Sequence, residues 1–228
     1  KIIYNANGQR NFLTDINNTS ALHYDGAIKI EYRGSSSALL DKKQYAFTPY
    51  DDLGEKVNVS FLDMPKENDW ILNGLAYDPS FMRDYLSYKL SNLTGNYASR
   101  GRYCEVVLNG NFRGIYVLQE KLKADDSRID INKIKETDLS FPKITGGYIT
   151  KADKNEGADT PAWYMDSYGW GQVNYIHEHP KPTTVKFQQN EYIKNEFRKL
   201  EVSASQGNSS ITTGYPSVID IPSFVDFM

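Results

Sequence analysis

The stretch "RYCEVVLNGNFRGIYVLQE", residues 102–120, constrains the fold more than any other part of the chain. Its residues alternate between apolar and polar on both sides of Asn109-Gly110, and both of these residues tolerate the positive φ that a two-residue hairpin turn demands. Such a hairpin lays two antiparallel strands side by side, and the apolar face of the resulting sheet then has to be covered. Three more runs of period two precede it, "AIKIEYRG", "KQYAFTPY" and "KVNVSFLD", so the first half predicts an antiparallel sheet. Between these strands lies "YDPSFMRDYLSYKLSNLTG". Asp78 suits an N-cap there, Pro79 the first helical turn and Gly95 the exit. Met82, Tyr85, Leu86, Leu90 and Leu93 recur at helical spacing, which predicts one helix with that face buried on the sheet.

After Glu120 the texture changes. "KLKADDSRIDINKIKETD" is charged and loop-like, which places a boundary or hinge near residues 120–125. "KITGGYITKAD" reads as a strand, "NEGADTPAWYMDSYGWGQ" as an irregular aromatic insert, "TVKF" as a short strand and "QQNEYIKNEFRKLEVSAS" as a helix. A last helix is expected from "DIPSFVDFM", capped by Asp220 or Ser223, and the pattern is expected to run on past Met228.

Composition removes several function classes. Hydrophobic residues at 39% of 228 allow a packed core. A net charge of −3 with a pI near 5.7 gives no global basic field, so no nucleic-acid partner is expected. Cys104 stands alone, which rules out an internal disulfide and a cysteine metal cluster and reads as a small buried hydrophobe. No run approaches the roughly 18 apolar residues of a membrane span, and "KIIYNANGQR" has neither the apolar region nor the cleavage site of a signal segment. The acceptor patterns "NNTS", "NVS", "NLT" and "NSS", with 17 tyrosines, fit an extracellular or cell-surface protein.

Two readings compete for "EYRGSSSALLDKKQYAF", residues 31–47. Arg33, Ser35 and Ser36 with the lysine pair behind them could meet a phosphate, or the string could be a Gly/Ser turn with a solvated basic edge. It is neither a Walker loop nor the kinase Gly-x-Gly-x-x-Gly. Strand alternation puts Lys43 on the face of Tyr45 and Phe47, so Lys43 is expected to point inward and Lys42 to solvent. His177 and His179 in "HEH" would share one strand face, but His23 is the only other histidine and a zinc site needs more ligands.

Four segments in order resemble the spore-coat CotH family of atypical, kinase-like proteins: "IEYRGSSSALLDKKQYAF", "MPKENDWILNGLAYDPSFMRDYLSYKL", "RGRYCEVVLNGNFRGIYVLQEKLKADDSRIDI" and "TGGYITKADK". The likeness is strong from about residue 28 to 155 and looser through "VKFQQNEYIKNEF" and "IDIPSFVDFM". It implies an α+β, atypical protein-kinase-like two-lobed fold, with an N-terminal extension over 1–27, a sheet-rich lobe over 28–122 and a partial second lobe over 123–228. It implies ATP and Mg as cofactors, a nucleotide and a protein substrate with serine as partners, and ATP held by Arg33, Ser35, Ser36, Lys43, Glu120 and Lys151. Leu118 to Lys121 would be a hinge-like strand, with Glu120 paired to Lys43 or Arg33 or else a surface glutamate. Lys151 and Asp153 would face a cleft or form an exposed strand end. The family's Asp-rich, "WDFD"-like catalytic segment is expected after the stretch resembling "IPSFVDFM", so the catalytic residues are not identified in this sequence. A rival reading is a non-catalytic surface module that binds protein or glycan through Trp163, Tyr164, Tyr168 and Trp170.

Overall fold

The computed structural model describes residues 1–5, 8–154, 160–167 and 171–228. The chain is α+β and divides into two compact units, Lys1–Leu122 and Lys123–Met228. Among the described residues there are three antiparallel sheets and three α-helices.

In the first unit, β1 (Ile2–Ile3) and β2 (Leu22–Tyr24) pair as a short ribbon. A five-stranded sheet follows, built from β3 (Ala27–Arg33), β4 (Gln44–Tyr50), β5 (Trp70–Asn73), β6 (Gly101–Leu108) and β7 (Asn111–Glu120) in the order β3-β4-β5-β7-β6. The register places Phe47 opposite Trp70 and Leu72 opposite Leu118, so one face of the sheet is apolar. Phe61, Leu62 and Met64 pack on that face with Phe47, Trp70 and Leu118, and Ile2, Tyr4 and Tyr24 close over them. Phe61 meets Trp70 edge to face at 5.1 Å between ring centroids and Tyr24 at 5.0 Å.

The hairpin forms as the sequence predicts, with Asn109 at φ 52° and Gly110 at φ 76°. The expected strand "KVNVSFLD" does not form. Its β-pairing among the described residues is limited to the isolated bridges Tyr50 to Lys56 and Val59 to Glu67, and it then turns at Leu62 and Asp63 with φ of 50° and 64°. Its alternation is that of a chain lying across the sheet face, where Val57, Val59 and Phe61 point inward one after another.

Helix α1 runs from Arg83 to Leu93, later than Pro79. Asp78 still organises its start from outside: its carboxylate accepts the N–H groups of Arg83 at 2.8 Å and Met82 at 3.0 Å, and the Ser80 hydroxyl at 2.6 Å. The predicted buried stripe is on the other side. Met82, Leu86, Leu90 and Leu93 are exposed, while Tyr85 and Tyr88 are half-buried and the Tyr85 ring packs on Tyr103 at 4.6 Å. The sheet face beneath explains this, because by register it carries Arg33, Gln44, Asn73 and Gln119, which suit phenols and amides better than leucines.

The second unit holds β8 (Ile149–Asp153), β9 (Trp163–Ser167) and β10 (Gly171–His179) in the order β8-β10-β9, followed by α2 (Phe187–Ser205) and α3 (Ile221–Phe227). The stretch read as an irregular insert therefore contains β9. "TVKF" is no strand: Thr183 and Thr184 lie in a turn and Phe187 begins α2. The Gln189 side chain ties that start down, accepting from the Lys186 N–H at 3.1 Å and donating to the Lys135 carbonyl at 2.7 Å. Asp220 is the N-cap of α3 and accepts the Ser223 hydroxyl.

Candidate functional site

The segment from Arg33 to Lys43 leaves β3 and returns as β4 through an irregular turn. Gly34 makes the exit possible with φ of 95°, a conformation that strains any other L-residue. Ser35 then heads a four-residue 3₁₀ turn, Ser36–Leu39, and Ser35 and Ser36 are exposed. Arg33 ends β3 half-buried, with Nη1 donating to Gln44 Oε1 at 3.5 Å. Burial pulls the Arg33 guanidinium below its ordinary pKa and the nearby Tyr88 phenol opposes the shift; the group stays cationic.

Both lysines are half-buried, and strand alternation does not sort them into one inward and one solvated residue. Lys43 lies one residue before β4, and its ammonium turns back onto the segment, donating to the Ala38 carbonyl at 2.9 Å. Lys42, expected in solvent, reaches inward. Its ammonium donates to the Ile115 carbonyl at 2.6 Å and lies 4.7 Å from the Phe81 ring centroid and 4.9 Å from that of Tyr116. Burial pulls its pKa down. Its side chain runs past Gly74 and Gly114, where a Cβ would stand in ordinary contact, 3.4 Å from Lys42 Cγ and 3.6 Å from Lys42 Nζ. Alternation fails because Lys42 precedes the paired part of β4, so nothing fixes it to a sheet face.

Glu120, at the end of β7, is fully buried, and its partner is neither Lys43 nor Arg33. Arg100 grips it with Nε and Nη2, each at 2.9 Å, while the Arg100 N–H and the Tyr97 hydroxyl add bonds at 3.1 Å. The Ser99 hydroxyl donates to the Glu120 carbonyl at 2.6 Å, so this cluster closes the end of the sheet. A charged residue inside the apolar run "IYVLQE" signals that a buried partner must exist. Sequence alone did not say that the partner would be Arg100.

In the second unit, Lys151 and Asp153 do share one face of β8, and Lys151 lies 3.5 Å from Asp153 and 3.4 Å from Glu178. The histidines do not share one. A bulge in β10 sets His177 opposite Thr150 and His179 opposite Ile149, adjacent residues that face opposite ways. His177 is buried with both ring nitrogens engaged, by Thr150 Oγ1 at 3.2 Å and Asn190 Oδ1 at 3.1 Å. Among the described residues, no three Asp, Glu, His or Cys side chains gather as metal ligands, so magnesium is assigned no residues. Cys104 packs against the core of the first unit, and burial pushes its thiol up to about 11.

Of the aromatic residues in the rival reading, Trp163 is a core residue: it stacks on Tyr175 at 5.2 Å and packs against Phe197 at 5.6 Å. Tyr164 is exposed, and Tyr168 and Trp170 lie outside the described residues.

A family model described as CotH kinase protein matches residues 30–228. No curated protein matches the chain at the significance asked of a relative.

Proposed function

The chain belongs to the CotH kinase protein family, and from that premise we propose that it is a kinase-like protein that binds ATP with magnesium and directs phosphate to serine residues of a protein substrate. The family match over residues 30–228 is the observation that carries this reading. The first unit is read as the nucleotide-binding lobe, an antiparallel sheet with one helix between its third and fourth strands, and Lys123–Met228 as part of a second lobe. The acceptor patterns in the sequence support a place outside the cell or on its surface.

Phosphoryl transfer asks the protein mainly to position phosphates and to neutralise their charge. Protein kinases do this with a lysine on the third strand of the sheet and a helix glutamate that holds it. Here the third strand, Trp70–Asn73, has no lysine and α1 has no glutamate, so the cations must come from elsewhere. The segment 33–43 supplies them: Arg33 at its base, the exposed Ser35 and Ser36 at its tip and Lys43 at its exit. Lys43 is held by one carbonyl oxygen, which a phosphate oxygen replaces at little cost. Lys42 anchors the segment, and Glu120 acts by fixing Arg100. Lys151 is kept as a further candidate in the second unit. Bound ATP would bring the transferable phosphoryl group, and magnesium would offset its charge.

Thermal unfolding with and without Mg-ATP tests the reading. Saturating nucleotide raises the midpoint of the wild-type chain, by the equivalent of about 2.7 kcal/mol at a hundred times Kd, and Lys43→Ala loses most of that rise while its ligand-free midpoint stays near wild type. No rise in the wild type, at any nucleotide concentration, contradicts it.

A further inference from the structure

Beneath α1, on the sheet face that carries Val117 and Gln119, the first unit contains a cavity of about 300 Å³. Leu75, Tyr85, Tyr88, Leu93 and Val117 give it apolar walls. Its size is at the lower end of the range in which small organic ligands are held, roughly 300–1,000 Å³. None of the residues assigned to phosphate in the segment 33–43 lines it.

The charges around the cavity say what kind of ligand fits. Arg100 reaches it but is neutralised by the buried Glu120 at 2.9 Å. Lys89 and Arg102 also line it, are exposed, and have no carboxylate partner among the described residues; Arg102 donates only to the carbonyl of Gly101, at 3.0 Å. Asp84 is the one carboxylate in the lining, one turn of α1 ahead of Tyr88. The cavity therefore joins an aromatic and aliphatic interior to a rim where two exposed cations, Lys89 and Arg102, outnumber the single carboxylate of Asp84.

We propose that this cavity binds a small organic carboxylate, with a ring-sized apolar body between Tyr85, Tyr88 and Val117 and its carboxylate toward Lys89 and Arg102. Apolar burial supplies the affinity, and the charge-assisted hydrogen bonds select an acid over an alcohol of the same shape.

The probes are 4-phenylbutyrate and 4-phenylbutanol, titrated into the whole chain at low salt and followed by methyl-region NMR. The acid is expected to shift the methyl signals of Leu75, Leu93 and Val117 and to bind at least about tenfold more tightly than the alcohol. Lys89→Gln with Arg102→Gln changes two exposed side chains, and it should bring the two affinities together while the alcohol still binds. Absence of saturable shifts at these methyls, equal affinities in the wild type, or an acid preference that survives the double substitution would each overturn the proposal.

Discussion

Lys42 gives up part of its hydration to meet one carbonyl oxygen and two ring faces, and that exchange ties the segment 33–43 to β7 and to the turn before α1. Lys42→Met keeps most of the aliphatic stem but leaves the Ile115 carbonyl without its donor. It should cost about 1–3 kcal/mol in a urea titration, the sum of one charge-assisted bond and the ring contacts, whereas Lys43→Ala should cost under about 1 kcal/mol. Asp78 makes a second single-residue test. Its bond from the Ser80 hydroxyl and then that from the Arg83 N–H pull its carboxyl down to about 2 from 3.8, so the folded chain favours the carboxylate. That contribution is complete above the ordinary carboxylate pKa and is lost as pH falls through the window from there to about 2. Thermal midpoints at pH 5 and pH 2.5 should therefore show wild type and Asp78→Asn drawing together in acid; a gap that stays constant or widens would remove Asp78 from the account.

At the scale of elements, what could be read in advance was whatever depends on local chemistry. The turn at Asn109-Gly110 was legible because two adjacent residues had to accept positive φ, and β3, β4, β6 and β7 followed from alternation. The segment from Val57 to Met64 alternates just as well yet lies over the sheet, since alternation reports which side chains are inward and not whether a backbone neighbour is present. The face of α1 was misassigned for a related reason: spacing located a leucine stripe, but the polar sheet surface that selects Tyr85 and Tyr88 is made by residues distant in sequence. In the candidate site, Arg33, Ser35, Ser36 and Lys43 could be proposed from one short string, while the Arg100–Glu120 pair needed 20 residues of separation to be closed by the fold. Trp163 separates the two functional readings at this scale. As a core residue stacked on Tyr175, its replacement by alanine should destabilise the second unit by about 3–5 kcal/mol, measured by urea unfolding, whereas a glycan platform would lose ligand and keep its stability.

Over the whole molecule, the family match crosses the division between Leu122 and Lys123, so the matched unit includes both compact parts and not the sheet alone. With a net charge of −3, attraction of a nucleotide rests on local cations and not on the field of the chain. The segment 33–43 concentrates three of them, Arg33, Lys42 and Lys43, around an exposed serine turn. Hydrogen–deuterium exchange of the whole chain, with and without saturating Mg-ATP, tests that placement most directly. Slower exchange at the backbone amides of Ser35 to Ala38, reduced in Lys43→Ala, is the predicted result; unchanged exchange across residues 33–43 in a nucleotide-saturated chain would contradict it.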